Sequence, residues 1–174
     1  METIFNRRSV RKYTDKVVSD EQLKQIIKAG MAAPSAKNSQ EWVFIVIRDP
    51  EIYKAFLGVH PNAFSLNTAT AAILVCADLS KEREPGQGWW IQDCAAAMEN
   101  MLLEATAMGL GSLWMGVHPK EDRIACIKEA CGLPEGIEPL GLMSVGEPTK
   151  DYDKIDRYME DRVFFNTYGT KWEK

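Results

Sequence analysis

Arg7, Arg8, Arg11 and Lys12 enclose Ser9 in the run RRSVRK, in a chain whose formal net charge is −4. Three guanidinium groups and a hydroxyl this close together can hold a phosphate through forked, charge-assisted hydrogen bonds, and a solvated basic turn is the other reading of the same run. A second candidate is PSAKNSQEW, Pro34 to Trp42. It has one rigid residue, then small amide and hydroxyl side chains, and it leads straight into an apolar strand. Loops of this kind present hydrogen bonds to small ligands, although an ordinary helix-to-strand connection has a similar composition. The third is SLWM, bracketed by Gly109, Gly111 and Gly116. Glycines there let backbone approach backbone, or let a flat ligand lie against main-chain amides. Together these parts suit a phosphorylated, planar cofactor.

Other chemistries lack their residues. There is no G-x-S-x-G elbow, P-loop, H-E-x-x-H or strand-borne G-x-G-x-x-G, and GLGSLWMG follows a helix instead. The two histidines, His60 and His118, read as surface loop residues, which leaves hydrolysis without a base. Cys76, Cys94, Cys126 and Cys131 form no C-x-x-C pair and have no histidine in ligand spacing, so they read as structural thiols and no metal site is expected.

The elements that must carry these residues centre on Gln92 to Gly116, QDCAAAMENMLLEATAMGLGSLWMG. It begins as a helix rich in Ala, Met, Leu and Glu and is closed where Gly109 can turn left-handed. Apolar side chains cover most of its circumference, interrupted only by Gln92, Asp93, Glu99, Asn100, Glu104 and Thr106. A helix of that kind is buried on several sides, in the core and at a subunit interface. The polar seam either bonds across a two-fold axis or lines a solvent crevice. Ser19 and Gln22 form a capping box for a helix that carries Leu23, Ile26 and Ile27 inward and ends at Ala33, before Pro34. Val43 to Ile47, Ala71 to Ala77 and Leu140 to Val145 read as strands, the second a central one. Asp49 and Pro50 open a short helix, and Pro119 to Ala130 forms another. Trp89 and Trp90, at the entrance of the long helix, either close a cavity or pack in the core. The tail from Lys150 to Lys174 has too many aromatics for disorder and is expected to wrap over a partner or over the body of the domain.

With 174 residues, 45 % hydrophobic and 26 % charged, one domain is expected, long enough to bury about 70 % of its unfolded surface. The negative balance argues against nucleic acid or anionic membrane as partners. METIFNRRSVRKY lacks the apolar run of a signal peptide, and no stretch approaches the ~20 apolar residues that span a bilayer, so a cytoplasmic location is expected.

On these motifs the chain resembles the FMN-dependent nitroreductase family along nearly its whole length. RRSVRKY looks like the family's opening motif, APSAKNSQEW its second, QDCAAAMENMLLEATAMGLGSLWMG its central helix and strand, and VGEP at Val145 to Pro148 its closing strand. The resemblance implies an α+β fold, a mainly antiparallel sheet flanked by helices, in an intertwined homodimer with FMN at the interface and a C-terminal extension embracing the partner. It implies one FMN-binding domain over residues 1–174. Arg7, Arg8 and Ser9 match the positions that hold the FMN phosphate and ribityl chain, and Arg11 a cationic position beside flavin N1 and O2. Pro34, Ser35, Ala36 and Asn38 match a loop reaching the flavin from the other subunit, with Ala36 where many members have Ser. Leu113, Trp114, Met115 and Gly116 match the strand whose backbone amides, those of Met115 and Gly116, approach N5 and O4. Arg157 falls near a further phosphate ligand, with Arg162 as the alternative. The implied activity is hydride transfer from NADH or NADPH through flavin N5 to a nitroaromatic, quinone or enone acceptor by a ping-pong mechanism, with no side-chain nucleophile. Alternatives are a flavin-binding or storage dimer without turnover, and a flavin-fragmenting or dehalogenating relative of the same fold. Acceptor choice is expected to rest on Leu79 to Trp90 and on residues near His60 to Phe64.

Overall fold

In the computed structural model, which describes residues 2–172, the apolar run Ala71–Asp78 forms strand β2, buried over all but its last residue. Its alternation divides the interior in two. Ala71, Ile73, Val75 and Ala77 face one helical layer, while Ala72, Leu74 and Cys76 face another. β2 pairs antiparallel with β1 (Trp42–Ile47) on one side and β4 (Ile137–Gly146) on the other, and β4 pairs antiparallel with β3 (Gly111–Gly116). The strand order β1-β2-β4-β3 leaves β1 and β3 at the edges. The expected α+β class with an antiparallel sheet flanked by helices is what forms.

On the first face lie α2 (Asp20–Met31) and α4 (Trp89–Ala107), on the second α3 (Pro50–Val59) and α5 (Glu121–Cys131). A five-residue helix, α1 (Glu2–Asn6), precedes the basic run and had no counterpart in the sequence pattern. In α4, Cys94, Ala97, Met98, Met101, Leu102 and Ala105 are buried, and each large side chain among them contributes about 1.5–3 kcal/mol on burial. Gly30 lets α2 approach this helix, because a Cβ there would stand 2.9 Å from the Met101 side chain.

Local signals act largely as their chemistry dictates. The Ser19 hydroxyl accepts from the Gln22 amide at 3.2 Å and the Gln22 side chain accepts from the Ser19 amide at 2.9 Å, completing the capping box. Gly109 adopts a φ of +74° just past α4. The boundaries move where tertiary packing overrides local composition. α2 stops at Met31 rather than Ala33, α4 starts at Trp89 rather than Gln92, and α5 starts at Glu121 rather than Pro119. Trp90 packs in the core and meets His118 edge-on at 5.0 Å, whereas Trp89 remains exposed, so core packing accounts for one indole of the pair. The four thiols are free. Cys76 and Cys94 are buried and Cys126 and Cys131 partly so. Burial pushes all four above the ordinary thiol range, Cys76 to about 12.

The N-terminal strand-like segment crosses the end of the sheet at van der Waals distance. A Cβ on Gly111 would fall 2.7–2.8 Å from the buried Val10 side chain, and one on Gly146 2.7–2.9 Å from Tyr13. Gly111→Ala is therefore expected to cost about 1–3 kcal/mol, or about 2–4 °C of melting temperature per kcal/mol. Gly58→Ala, in α3 with nothing near its Cβ, serves as the control and is expected to leave the midpoint unchanged or raise it. Thermal melts of the two variants check the comparison.

Candidate functional site

The basic run leaves α1 and folds back along β3. Val10 donates its amide to the Ser112 carbonyl at 2.9 Å and Thr14 donates to the Glu147 carbonyl at 2.9 Å, which pins the segment at both ends. Between them Tyr13 is buried. Its hydroxyl donates to the Val10 carbonyl at 2.8 Å and lies 2.9 Å from Ser144 Oγ, itself 3.0 Å from the Ser65 hydroxyl. Burial raises the Tyr13 phenol above the ordinary tyrosine range, so the group is neutral and the network holds as an uncharged chain of hydroxyls.

Ahead of this anchor the arginines open into a cavity of about 670 Å³ lined by Arg7, Arg8, Ser9, Arg11 and, from the C-terminal segment, Tyr152, Asp156 and Arg157. Four guanidinium groups face one carboxylate there, against the sign of the whole chain. Arg8 is braced by the Phe5 and Arg7 carbonyls at 2.9 and 2.6 Å and by the Asp153 carbonyl. Arg7 pairs with Glu99 of α4 at 3.1 Å, and Arg11 reaches the Ser9 carbonyl at 3.1 Å while its side chain stays exposed. Arg157 lines this cavity and Arg162 does not.

Residues 34–38 do not line it. Ala36–Asn38 form a short 3-10 turn shortly before β1 and against α4, beside a narrow cleft lined by Glu41, Glu82, Arg83, Glu84 and Trp89. Lys37, Asn38 and Gln40 hold φ values of 50°, 57° and 53°, a left-handed conformation that costs a non-glycine residue about 1 kcal/mol or more. The loop is held closed from three sides. Gln40 donates its amide to Ser35 Oγ at 3.0 Å, the Ser39 hydroxyl donates to the Ala36 carbonyl at 2.5 Å, and Ala36 donates its amide to Asp93 Oδ2 of α4 at 2.8 Å.

Strand β3 offers its free edge beside the arginines. Ser112 turns its carbonyl outward to Val10 and Gly116 turns its own outward to Arg123, at 2.9 Å, while Val117 donates inward to Leu140. By the alternation of a strand, the peptide groups of Trp114 and Gly116 face the open edge and those of Leu113 and Met115 face β4. The Met115 amide is thus taken up by the sheet, and Trp114 and Gly116 supply the outward donors. Leu113 and Met115 bury their side chains in the second layer.

Five of the six polar residues of α4 find partners inside the chain: Asp93 at Ala36, Glu99 at Arg7, Asn100 at the Ala29 carbonyl (3.1 Å), Glu104 at Gln25 (3.1 Å) and Thr106 at the Leu102 carbonyl (2.9 Å), while Gln92 is exposed. His60 is buried rather than on the surface. Its Nδ1 accepts the Asn62 amide at 3.1 Å, and its ring packs 5.3 Å from Phe56. Arg123, unremarked in the sequence, holds the end of β3, with a buried Nε that has no partner. A basic residue in the first turn of a helix, against the dipole, was its one sequence signal. Glu41 was missed too, and an acid directly before the apolar strand WVFIVI was the trace it left. Among the described residues, no group of three or more His, Cys, Asp or Glu side chains is placed to hold a metal ion, and no helix is long and apolar enough to cross a membrane.

The chain is a three-layer α+β fold, helices on both faces of an antiparallel sheet, with a cavity lined by four arginines. The comparisons make it specific. The model described as the Nitroreductase family matches residues 4–63 and 58–147. A protein of Archaeoglobus fulgidus named, by inference, an NADH dehydrogenase/NAD(P)H nitroreductase is 43 % identical over 175 residues, covering 99 % of this chain and 98 % of that one. Among solved structures, an FMN-dependent nitroreductase from Clostridium difficile superposes with a TM-score of 0.86 at 29 % identity, covering 95 % of this chain and 98 % of that one. The NADPH:FMN oxidoreductase of Vibrio harveyi, complexed with NAD+, gives 0.83 at 28 % identity over 96 % and 76 %. The chain belongs to the nitroreductase family.

Burial and then the nearby Arg123 guanidinium hold the His60 imidazole below its ordinary value of 6.5. The folded ring gives up its proton more readily than the unfolded one, so its contribution to stability is full above 6.5 and is lost as pH falls through the depressed folded value. Nitrogen-detected NMR is expected to show His60 more than half neutral at pH 6.5, with its titration moved upward in Arg123→Met.

Proposed function

We propose that residues 1–174 form one FMN-binding domain of a homodimeric, cytoplasmic NAD(P)H oxidoreductase. The single observation that carries this is the convergence of Arg7, Arg8, Arg11 and Arg157, from opposite ends of a net-negative chain, on one open cavity. FMN, when bound, supplies the redox chemistry, taking hydride from NADH or NADPH at N5 and passing it to a nitroaromatic, quinone or enone acceptor in two half-reactions.

The chain's own part is to hold, orient and shield. Arg7, Arg8, Ser9 and Arg157 would hold the phosphate and ribityl chain, and the donor set fits the chemistry: forked guanidinium groups, one of them braced by three carbonyls, match phosphate oxygens. Arg11, exposed and tied only to a backbone carbonyl, carries its charge to the N1 and O2 edge. The amides of Trp114 and Gly116, on the free edge of β3, would be the donors available to N5 and O4 of the flavin. The loop with Pro34, Ser35, Ala36 and Asn38 lies away from the arginine cavity of its own chain, which supports its serving the cavity of a second copy. Exposed aromatics along the tail, with Tyr168 93 % exposed and Trp172 59 %, support an embrace of that partner.

The purified protein is expected to be yellow, or to become so with added FMN, to bleach on anaerobic addition of NADH or NADPH and to recover colour with a quinone or nitroaromatic. Arg11→Met is expected to leave the unfolding free energy within about 0.5 kcal/mol of wild type while slowing the bleaching step. A protein that takes up no FMN would sink the assignment. Uptake without turnover would identify a flavin carrier.

A further inference from the structure

Beneath the strained loop lies an acid pair that the reading above leaves unused. Glu41, directly before β1, is 1 % exposed, and neither of its carboxylate oxygens has a hydrogen-bond partner. Asp93, in the second turn of α4, is 7 % exposed and spends Oδ2 on the Ala36 amide. The two carboxyl groups meet at Ala36: Glu41 lines the cleft beside it and Asp93 accepts its amide. With both ionised in a cleft this closed, they repel; with one proton between them, the same contact becomes a charge-assisted O–H···O bond. Burial, and beyond it Asp93 and Glu82, push the Glu41 carboxyl above the usual carboxylate range.

Among the described residues, no cation of the surroundings bonds the Glu41 carboxylate. From the loop after β2, Glu82 and Glu84 add negative charge and Arg83 lines the cleft; Lys37 of the strained turn is paired with Glu84 at 2.5 Å. From α4, the Cys94 thiol, next in sequence to Asp93, donates to the Cys76 carbonyl and is held neutral by burial. At the end of β2, Asp78 donates its amide to the Glu41 carbonyl at 2.7 Å but turns its carboxylate to Ser80 and Lys81.

We infer that Glu41 and Asp93 share a single proton and act together as positioning residues, a clasp that in its protonated form fixes the Ser35–Gln40 loop and in its doubly ionised form lets it go. The inference rests on the proposed function in one respect, that this loop forms part of an FMN site. The sign follows from linkage. The fixed loop binds a proton that the released loop holds no tighter than an ordinary carboxyl does, so its advantage is full at low pH and is lost as pH rises through the elevated value of Glu41.

The experiment uses the full chain, wild type and Glu41→Gln, from about pH 5.5 to about pH 9.5. FMN affinity is read by fluorescence quenching, and protection of the Ala36 amide by hydrogen exchange without added cofactor, corrected for intrinsic exchange. Wild type is expected to lose FMN affinity by up to about tenfold per pH unit within the window where the pair ionises, and to lose Ala36 protection in step. Glu41→Gln, whose amide donates to Asp93 at every pH, is expected to be flat in both. Asp93→Asn makes the same comparison independently, since its oxygen still accepts from Ala36 and its nitrogen donates to Glu41. A wild-type protein flat in both readouts, or variants that keep the wild-type slope, would overturn the clasp. Failure to bind FMN, with Ala36 protection still falling in wild type alone, would uphold the clasp and overturn the cofactor reading instead.

Discussion

Residues 9–14 cross the ends of β3 and β4 so closely that two of the strand positions beneath them have room only for glycine, and everything at the arginine cavity depends on that crossing. Val10 lies over Gly111 and Tyr13 over Gly146. The Tyr13 hydroxyl then reaches through to Ser144 and Ser65, tying the segment to β4 and to the turn before β2. Because the tie is neutral and dry, solvent does not compete for it. Arg7, Arg8 and Arg11 project from a segment whose far end cannot shift, which is the preorganisation that binding an anion without a large entropic cost requires.

The same economy recurs on the other face of α4. A helix nearly apolar all round contributes its few polar groups one at a time to neighbouring parts: Glu99 to the arginine segment, Asn100 and Glu104 to α2, Asp93 to the strained loop. α4 thus connects the two candidate halves of the site through its own rigid length. The arginine cavity and the Ala36 loop are separate in the subunit, yet both are referenced to one helix.

The architecture was legible where a single local cause sets the outcome. The capping box at Ser19, the continuous apolar run of β2 and the glycine after α4 each act through nearest neighbours, and each appears where the pattern puts it. The basic run was legible as residue types, but its convergence with Arg157 depends on how the tail returns, which no spacing encodes. The Met115 amide shows a different limit. Which peptide groups face outward is decided by the pairing of β3 with β4, and a slip of one residue would exchange the two sets. His60, Glu41 and Arg123 were hidden for a common reason: each polar group is buried by tertiary packing, and a loop or helix-end residue carries no local mark of being enclosed.

The thiols described with the fold bear on the chemistry proposed for the site. Quinones are soft electrophiles that alkylate thiolates, and an enzyme that consumes them is exposed to covalent damage by its own reagents. Cys76, with its ionisation pushed up to about 12, presents about one thiolate in 10⁵ molecules at neutral pH, and burial shifts Cys94, Cys126 and Cys131 the same way. The packing that buries Cys76 and Cys94 in the core also leaves them poor nucleophiles, a property suited to the quinone chemistry proposed above.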